Sequence, residues 1–383
     1  MVLKVSKRGQ VAPFIVMDVM HAAHDLEIEG ESIMHMEIGQ PGTGAPQGVI
    51  EAAKKALDTE QLGYTESFGI APLRSAIRDH YVRKYGVYVP LERIAVTTGS
   101  SGAFILSFIA AFDEGDKVAM ASPGYPAYRN ILTALGIEVV EIPVGPNTNF
   151  QPSADLLAEC GESLDGLIVA SPSNPAGTMI DPAGLKELYD YCAEHEIRLI
   201  SDEIYHGITY VDPAETMLRF GDDAVIINSF SKYFSMTGWR LGWMVLPHDL
   251  INACERLAPN LFISAPAVSQ HAAVAVFDCE EELQQNLRMY TKNRELLLRE
   301  LPKAGFDKLA SVDGGFYIYA DVSDITDDST AFCEAMLNEA GVAATPGVDF
   351  DPKRGHRYVR FSFASDPENM AEAARRLIAW RGK

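Results

Sequence analysis

The segment Ser229-Phe230-Ser231-Lys232, followed by Met236-Thr237-Gly238-Trp239-Arg240-Leu241-Gly242, sets a lysine among small, hydroxyl and aromatic residues, with an arginine eight positions on. Burial disfavours the charged form of a lysine, and a neutral amine within reach of an aldehyde can condense to a Schiff base. Two serines and an arginine beside it suit a phosphate, the arginine as a two-pronged donor. An aldehyde and a phosphate on one molecule describe pyridoxal 5'-phosphate (PLP). Locally, the same string also reads as a surface lysine beside a Trp-Arg packing pair.

Other segments bear on that choice. Ser171-Pro172-Ser173-Asn174-Pro175-Ala176-Gly177 follows the apolar run Leu167-Ile168-Val169-Ala170, a strand emerging into a Pro/Gly turn. Ser201-Asp202-Glu203-Ile204-Tyr205 follows Ile197-Arg198-Leu199-Ile200 in the same way. Each alone is an ordinary polar turn. Together they bring Asn174, Asp202 with Tyr205, and Lys232 to what reads as one rim, beyond the carboxyl ends of strands, where open α/β sheets bind ligands.

In these motifs the chain resembles the fold-type-I PLP enzymes of the class I/II aminotransferases, in the branch holding the aspartate, alanine and aromatic aminotransferases. The resemblance spans nearly the whole chain and rests on several motifs in order. It implies that Lys232 carries the Schiff base to the cofactor and that Asp202 pairs with the pyridine nitrogen. Asn174 and Tyr205 would hydrogen-bond the phenolic oxygen of the ring, and Ser229, Ser231 and Arg240 lie where the family binds phosphate. The residue types make sense independently. A carboxylate against the pyridine nitrogen keeps it protonated, and the ring then accepts electrons from the substrate. The displaced lysine amine is placed to move a proton.

The same resemblance extends to both ends of the chain. Thr98-Gly99-Ser100-Ser101-Gly102 follows the strand-like Ile94-Ala95-Val96-Thr97 and turns into an apolar run, Ala103 to Phe112. Backbone N–H groups at such a helix start attract anions, although Ser100 or Ser101 would serve equally as a simple cap. In context it resembles the family's phosphate cup, which places Ser100, Ser101 and Gly102 on the phosphate. Tyr125, in Ser122-Pro123-Gly124-Tyr125-Pro126, resembles the aromatic residue that stacks on the cofactor ring. Arg360 lies in the alternating string Arg357-Tyr358-Val359-Arg360-Phe361-Ser362-Phe363, on the face of Tyr358 and Ser362. Its guanidinium suits bidentate capture of a substrate α-carboxylate, beside Asn174; a surface ion pair is the plainer reading of the strand alone. Ile38-Gly39-Gln40-Pro41 resembles the loop whose backbone meets that carboxylate, with Gly39 permitting close approach. Tyr64, in Gly63-Tyr64-Thr65-Glu66, matches the tyrosine that reaches the phosphate of a neighbouring subunit, which implies a homodimer with shared active sites.

The elements that must position these groups are α/β. Strand-like runs at 94–97, 117–122, 137–142, 166–171, 197–201 and 225–229 alternate mostly with helical patterns. Asp181-Pro182 and Asp366-Pro367 read as helix starts, and Glu280 to Leu301 as one long helix. The expected organisation is an N-terminal arm with part of a small domain (1–44), a large PLP-binding domain with a mostly parallel sheet (45–283), and a small α/β C-terminal domain (284–383). At 383 residues the chain is long enough for two lobes. Its net charge of −21 argues against nucleic acid or an anionic membrane as partner. The five cysteines show no metal spacing, and no metal site is expected. Sparse cysteines, no leader and no spanning apolar run fit the cytoplasm.

The reaction expected is transfer of an amino group between an L-amino acid and a 2-oxo acid by a ping-pong route. A carbon–sulfur β-lyase on the same fold is the alternative. A PLP-binding regulatory module is a third reading, disfavoured because the pattern starts near residue 12. Some family members carry a lysine in the phosphate-cup segment where this chain has Ser101, which favours a neutral or aromatic substrate side chain. A lysine of the arm, such as Lys4 or Lys7, or an arginine from the partner subunit would reverse that.

Overall fold

A computed structural model describes residues 3–382. Its centre is a seven-stranded sheet, ordered Ile94–Thr97, Gly242–Val245, Val225–Ser229, Arg198–Asp202, Gly166–Ala170, Lys117–Ser122 and Glu138–Pro143. Gly242–Val245 runs antiparallel to both its neighbours, and the other pairings are parallel. The inner strands are nearly continuous apolar runs because helices cover both faces of the sheet. Alternate residues separate the two layers. Ile168, Ile200, Ile227 and Met244 pack with Phe104 and Phe108 of the helix Gly99–Ala111. Leu167, Leu199, Ile226 and Trp243 face the opposite layer, with Leu73 and Ile77 of the helix Ala71–Tyr85 and Leu185 and Leu188 of the helix Pro182–Glu194.

The helix starts divide into two kinds. Asp181 caps Pro182–Glu194 through its side chain, which accepts from the Gly184 N–H at 2.7 Å, a contact worth about 1 kcal/mol. Asp366 precedes Pro367–Arg381 without any such bond. The helix Glu280–Glu300 tightens into a 3-10 turn at Leu301–Ala304. The junction expected between 283 and 284 therefore falls inside a continuous helix. Beyond it, a four-stranded antiparallel sheet is ordered Thr345–Pro346, Tyr358–Ser362, Tyr317–Asp321 and Lys308–Leu309. Near the amino end, Met34–His35 pairs in parallel with Val342–Ala343, so the first segment of the chain is stitched to the last.

All the motif strands discharge at one edge of the large sheet. Asp202 ends its strand, while Ser231 and Lys232 follow Ser229 and Asn174 follows Ala170. Ser100 and Tyr125 follow the strands ending at Thr97 and Ser122. The small antiparallel sheet brings Arg360 and Tyr317 to the same place.

Candidate active site

A cavity of about 320 Å³ opens at that edge, between the two sheets and the N-terminal helix Ile15–Ile28. Lys232, Asp202, Tyr205, Asn174, Ser100, Ser101, Tyr125, Ser231, Arg240, Gly39 and Arg360 all line it. Three other residues that the motifs single out stand elsewhere. Ser229 is buried behind the wall, where its hydroxyl meets that of Ser231 at 2.9 Å. Gly102 is buried inside its helix, and a Cβ there would fall 2.6 Å from Thr98 Oγ1, so its smallness serves packing. Tyr64 is 88% exposed and outside the cavity of its own chain.

Lys232 sits in the turn after a strand buried along its whole length. Phe230 anchors the turn against Phe234, Trp243 and Phe277. The ammonium donates to the Gly39 carbonyl at 2.6 Å. A Cβ on Gly39 would collide with the Tyr317 hydroxyl, so no larger residue fits at this approach. Burial pushes the Lys232 ammonium down to about 8, helped by the Arg360 charge and opposed by Asp202. Asp202 is buried; it accepts from the Tyr128 hydroxyl and, at 3.1 Å, from the Ile204 N–H. Burial nevertheless raises its carboxyl to about 6.

Arg360 is buried, not a surface cation. One arm donates to Asn174 Oδ1 at 3.0 Å, and the other to the Glu37 carbonyl and, at 3.1 Å, to Thr345 Oγ1. Its guanidinium lies 4.5 Å from the Tyr317 ring centre and 4.8 Å from that of Phe350. The Nε–H has no partner among the described residues, although it is buried. An unsatisfied buried donor costs stability. Tyr205 meets Tyr317, hydroxyl to hydroxyl, at 2.8 Å. Tyr125 packs edge-on against Phe14 and Tyr128.

Arg240 is an exposed residue at the cavity mouth with a left-handed backbone (φ 52°). Its Nη1 donates to the Thr237 carbonyl at 3.0 Å. Gly99 has φ +70°, and a Cβ there would fall 2.7 Å from Arg240 Nη2. The helix starts at Gly99, ahead of the apolar run that begins at Ala103, and no side chain caps it. Ser100 and Ser101 are therefore in its first turn. Free N–H groups, hydroxyls and a guanidinium converge there, the donor set of a phosphate site.

Sequence reasoning passes over Tyr317, Tyr128, Asp349, Phe350 and the arm residues Phe14, Val16, Met17 and Met20, all in the wall. Tyr317 carries a hydroxyl in a largely apolar string, a faint signal. The arm helix has two apolar stripes, and only one is used for packing: Val19, Ala23 and Leu26 join Ile33 and Leu337. Among the described residues no helix is long and apolar enough to cross a membrane, and no group of His, Cys, Asp and Glu could hold a metal.

Residues 31–377 match the family model for aminotransferase class I and II. The chain is 50% identical to the valine–pyruvate aminotransferase of Mycobacterium tuberculosis over 381 residues, 98% of each chain. A crystal structure of an aminotransferase from the same organism superposes with a TM-score of 0.98 at 49% identity, covering all of both chains. The aspartate aminotransferase of Thermus thermophilus with maleate gives a TM-score of 0.93 at 30% identity, over 99% of this chain and all of that one.

Proposed function

The chain belongs to the class I and II aminotransferases, with their fold-type-I architecture, and we propose that it uses PLP to move an amino group between an L-amino acid with a neutral side chain and a 2-oxo acid. The observation that carries this reading is the convergence of Lys232, Asp202 and Arg360, from three separate parts of the chain, on one cavity. The donor set fits the cofactor. Gly99, Ser100, Ser101, Ser231 and Arg240 would hold its phosphate, Asp202 its ring nitrogen, Asn174 and Tyr205 its phenolic oxygen, and Tyr125 its ring face. Bound there, PLP supplies an electron sink for the charge left at the substrate α-carbon when its proton departs.

The protein's own groups do the rest. Arg360 binds and orients the α-carboxylate, with its unpartnered Nε–H as a further donor. Lys232 takes the α-proton and returns it, and its lowered pKa leaves part of the amine unprotonated near neutrality. Asp202 stays ionised beside a cationic ring nitrogen, because an opposite charge favours the carboxylate. In a ping-pong route the first 2-oxo acid leaves before the second enters, so one carboxylate clamp serves both. The neutral side chain is supported by the cations of the wall: Lys232, Arg240 and Arg360 already have work to do. It is also supported by the likeness to a valine–pyruvate aminotransferase at 50% identity.

The test is a screen of half-reactions with single amino acids, followed by the cofactor spectrum, together with borohydride reduction and peptide mapping. Valine and alanine are expected to react with release of their 2-oxo acids, and the pyridoxyl group to be found on Lys232. A label on another lysine would sink the assignment. Release of ammonia and pyruvate from sulfur amino acids, with no acceptor needed, would point to the lyase instead.

A further inference from the structure

The arm helix Ile15–Ile28 begins without a cap of its own, since Phe14 offers no side-chain acceptor. The acceptor comes from the far end of the chain. Asp349 Oδ1 accepts from the Ile15 N–H at 3.1 Å, across 334 residues. A carboxylate at a helix N-terminus satisfies a free donor and meets the positive end of the helix dipole. Asp349 is only 3% exposed, stands in the cavity wall, and its second oxygen, Oδ2, is buried without a hydrogen-bond partner among the described residues. Its neighbour Phe350 stacks on Arg360. Its backbone carbonyl is fixed by Arg129 Nη2 at 3.2 Å. The capped helix presents Val16, Met17 and Met20 to the cavity, with Phe14 turned edge-on to Tyr125.

We infer that Asp349 determines which substrate side chains this cavity admits, by fixing the apolar arm helix as one wall and by setting a negative charge beside it that repels a second carboxylate. The inference rests on the proposed aminotransferase activity and on Arg360 as the α-carboxylate clamp. A substrate held by Arg360 has Phe350 and Asp349 on one side and the arm helix next to them. An aliphatic side chain meets thioether and methyl groups there. A side-chain carboxylate meets a buried like charge, with no spare cation from the described wall to balance it, and such juxtapositions discriminate strongly. Burial pushes the Asp349 carboxyl upward, while the Ile15 and Val16 amides and the charges of Arg360 and Arg129 pull it back.

The test uses the PLP-loaded enzyme and its Asp349→Asn variant, in which an amide oxygen still accepts from Ile15 while the charge is gone. Binding of succinate and of isovalerate is measured by calorimetry, half-reactions with aspartate and valine are followed in parallel, and amide exchange reports on residues 15–28. Asp349→Asn is expected to tighten succinate and to narrow the valine-over-aspartate preference by roughly tenfold or more, the scale of one poorly screened charge pair. Isovalerate binding and helix protection should hold. Asp349→Ala is expected to speed exchange at the start of the helix and weaken isovalerate. If the amide variant fails to fold, Asp349→Ser keeps a short acceptor without charge and answers the same question. A wild-type enzyme that prefers valine, with a variant in which both ligands and both donors are unchanged, overturns the role of Asp349 alone. A wild-type enzyme that prefers aspartate overturns this role together with the neutral-substrate reading, whatever the variants do.

Discussion

Lys232 and Asp202 are each displaced by burial toward their uncharged forms, Lys232 down to about 8 and Asp202 up to about 6. Near pH 7 the carboxylate is mostly ionised, and roughly a tenth of Lys232 is free amine, far more than for an ordinary lysine near 10.4. The neighbours act in opposite senses: Arg360 lowers the lysine further and Asp202 supports its charge. The sign of each substitution follows. In protein freed of cofactor, reductive methylation read by peptide mass should give Lys232 a reactivity midpoint near pH 8. Asp202→Asn removes the anion and should move that midpoint down. Arg360→Leu removes a cation and should move it up. If Lys232 titrates with the surface lysines and neither variant shifts it, the balance of burial and charge described for the site is wrong. The residue types, and the meeting of Asp202 with Lys232 at one rim beyond the strand ends, are legible in the sequence. The proximity of Arg360 to Lys232 depends on the pairing of Tyr317–Asp321 with Tyr358–Ser362, which no local pattern encodes.

At the scale of elements, the start of the helix Gly99–Ala111 is the most demanding join. Gly99 needs its left-handed backbone, and it needs the absence of a Cβ, because Arg240 Nη2 lies where one would go. Gly99→Ala is therefore expected to cost about 1–2 kcal/mol in stability from backbone strain alone. It should also displace the arginine. Affinity for PLP should fall at least about tenfold, the size of a charge-assisted bond, while affinity for pyridoxal, which has no phosphate, should change little. Equal losses for the two ligands would remove the phosphate role from this turn. The parallel strands are plain in the sequence, because Leu167-Ile168-Val169-Ala170 and Ala224-Val225-Ile226-Ile227 are continuous apolar runs bounded by polar or turn residues. The helix boundary is not, because Gly99 and two serines read as a turn, whereas here they form the helix's first residues. The arm helix gives no functional signal at all. Met17 and Met20 look like core residues, and the partner that caps them in place, Asp349, is 334 positions from Ile15.

On the scale of the whole molecule, the proposed phosphate subsite has an open side, and Tyr64 is exposed. Arg240 and Ser101 are exposed at the cavity mouth, and Tyr64 is 88% exposed on a loop outside it. The Thr65 N–H donates to Ser264 Oγ at 3.4 Å, so Tyr64 stands beside the loop that carries the exposed Ile263. Two exposed apolar side chains on adjoining loops suit a contact with a second copy, which would bring the tyrosine to the partner's phosphate subsite in a two-fold dimer. A net charge of −21 on each chain opposes that association, so the dimer should be examined near 0.15 M salt, where the Debye length is about 8 Å. The decisive experiment mixes Lys232→Ala with Tyr64→Ala after each has been shown to be impaired alone. In a mixed dimer one site collects both defects and the other has neither. Random exchange at equal amounts makes half the dimers mixed, so about a quarter of wild-type activity should return if sites are built across a two-fold interface. Were Tyr64 to serve its own chain, every site in every mixture would keep one defect, and activity would not exceed the average of the two parents. Exchange confirmed by mass without any recovery would thus assign Tyr64 to its own subunit, even in a protein that proves to be a dimer.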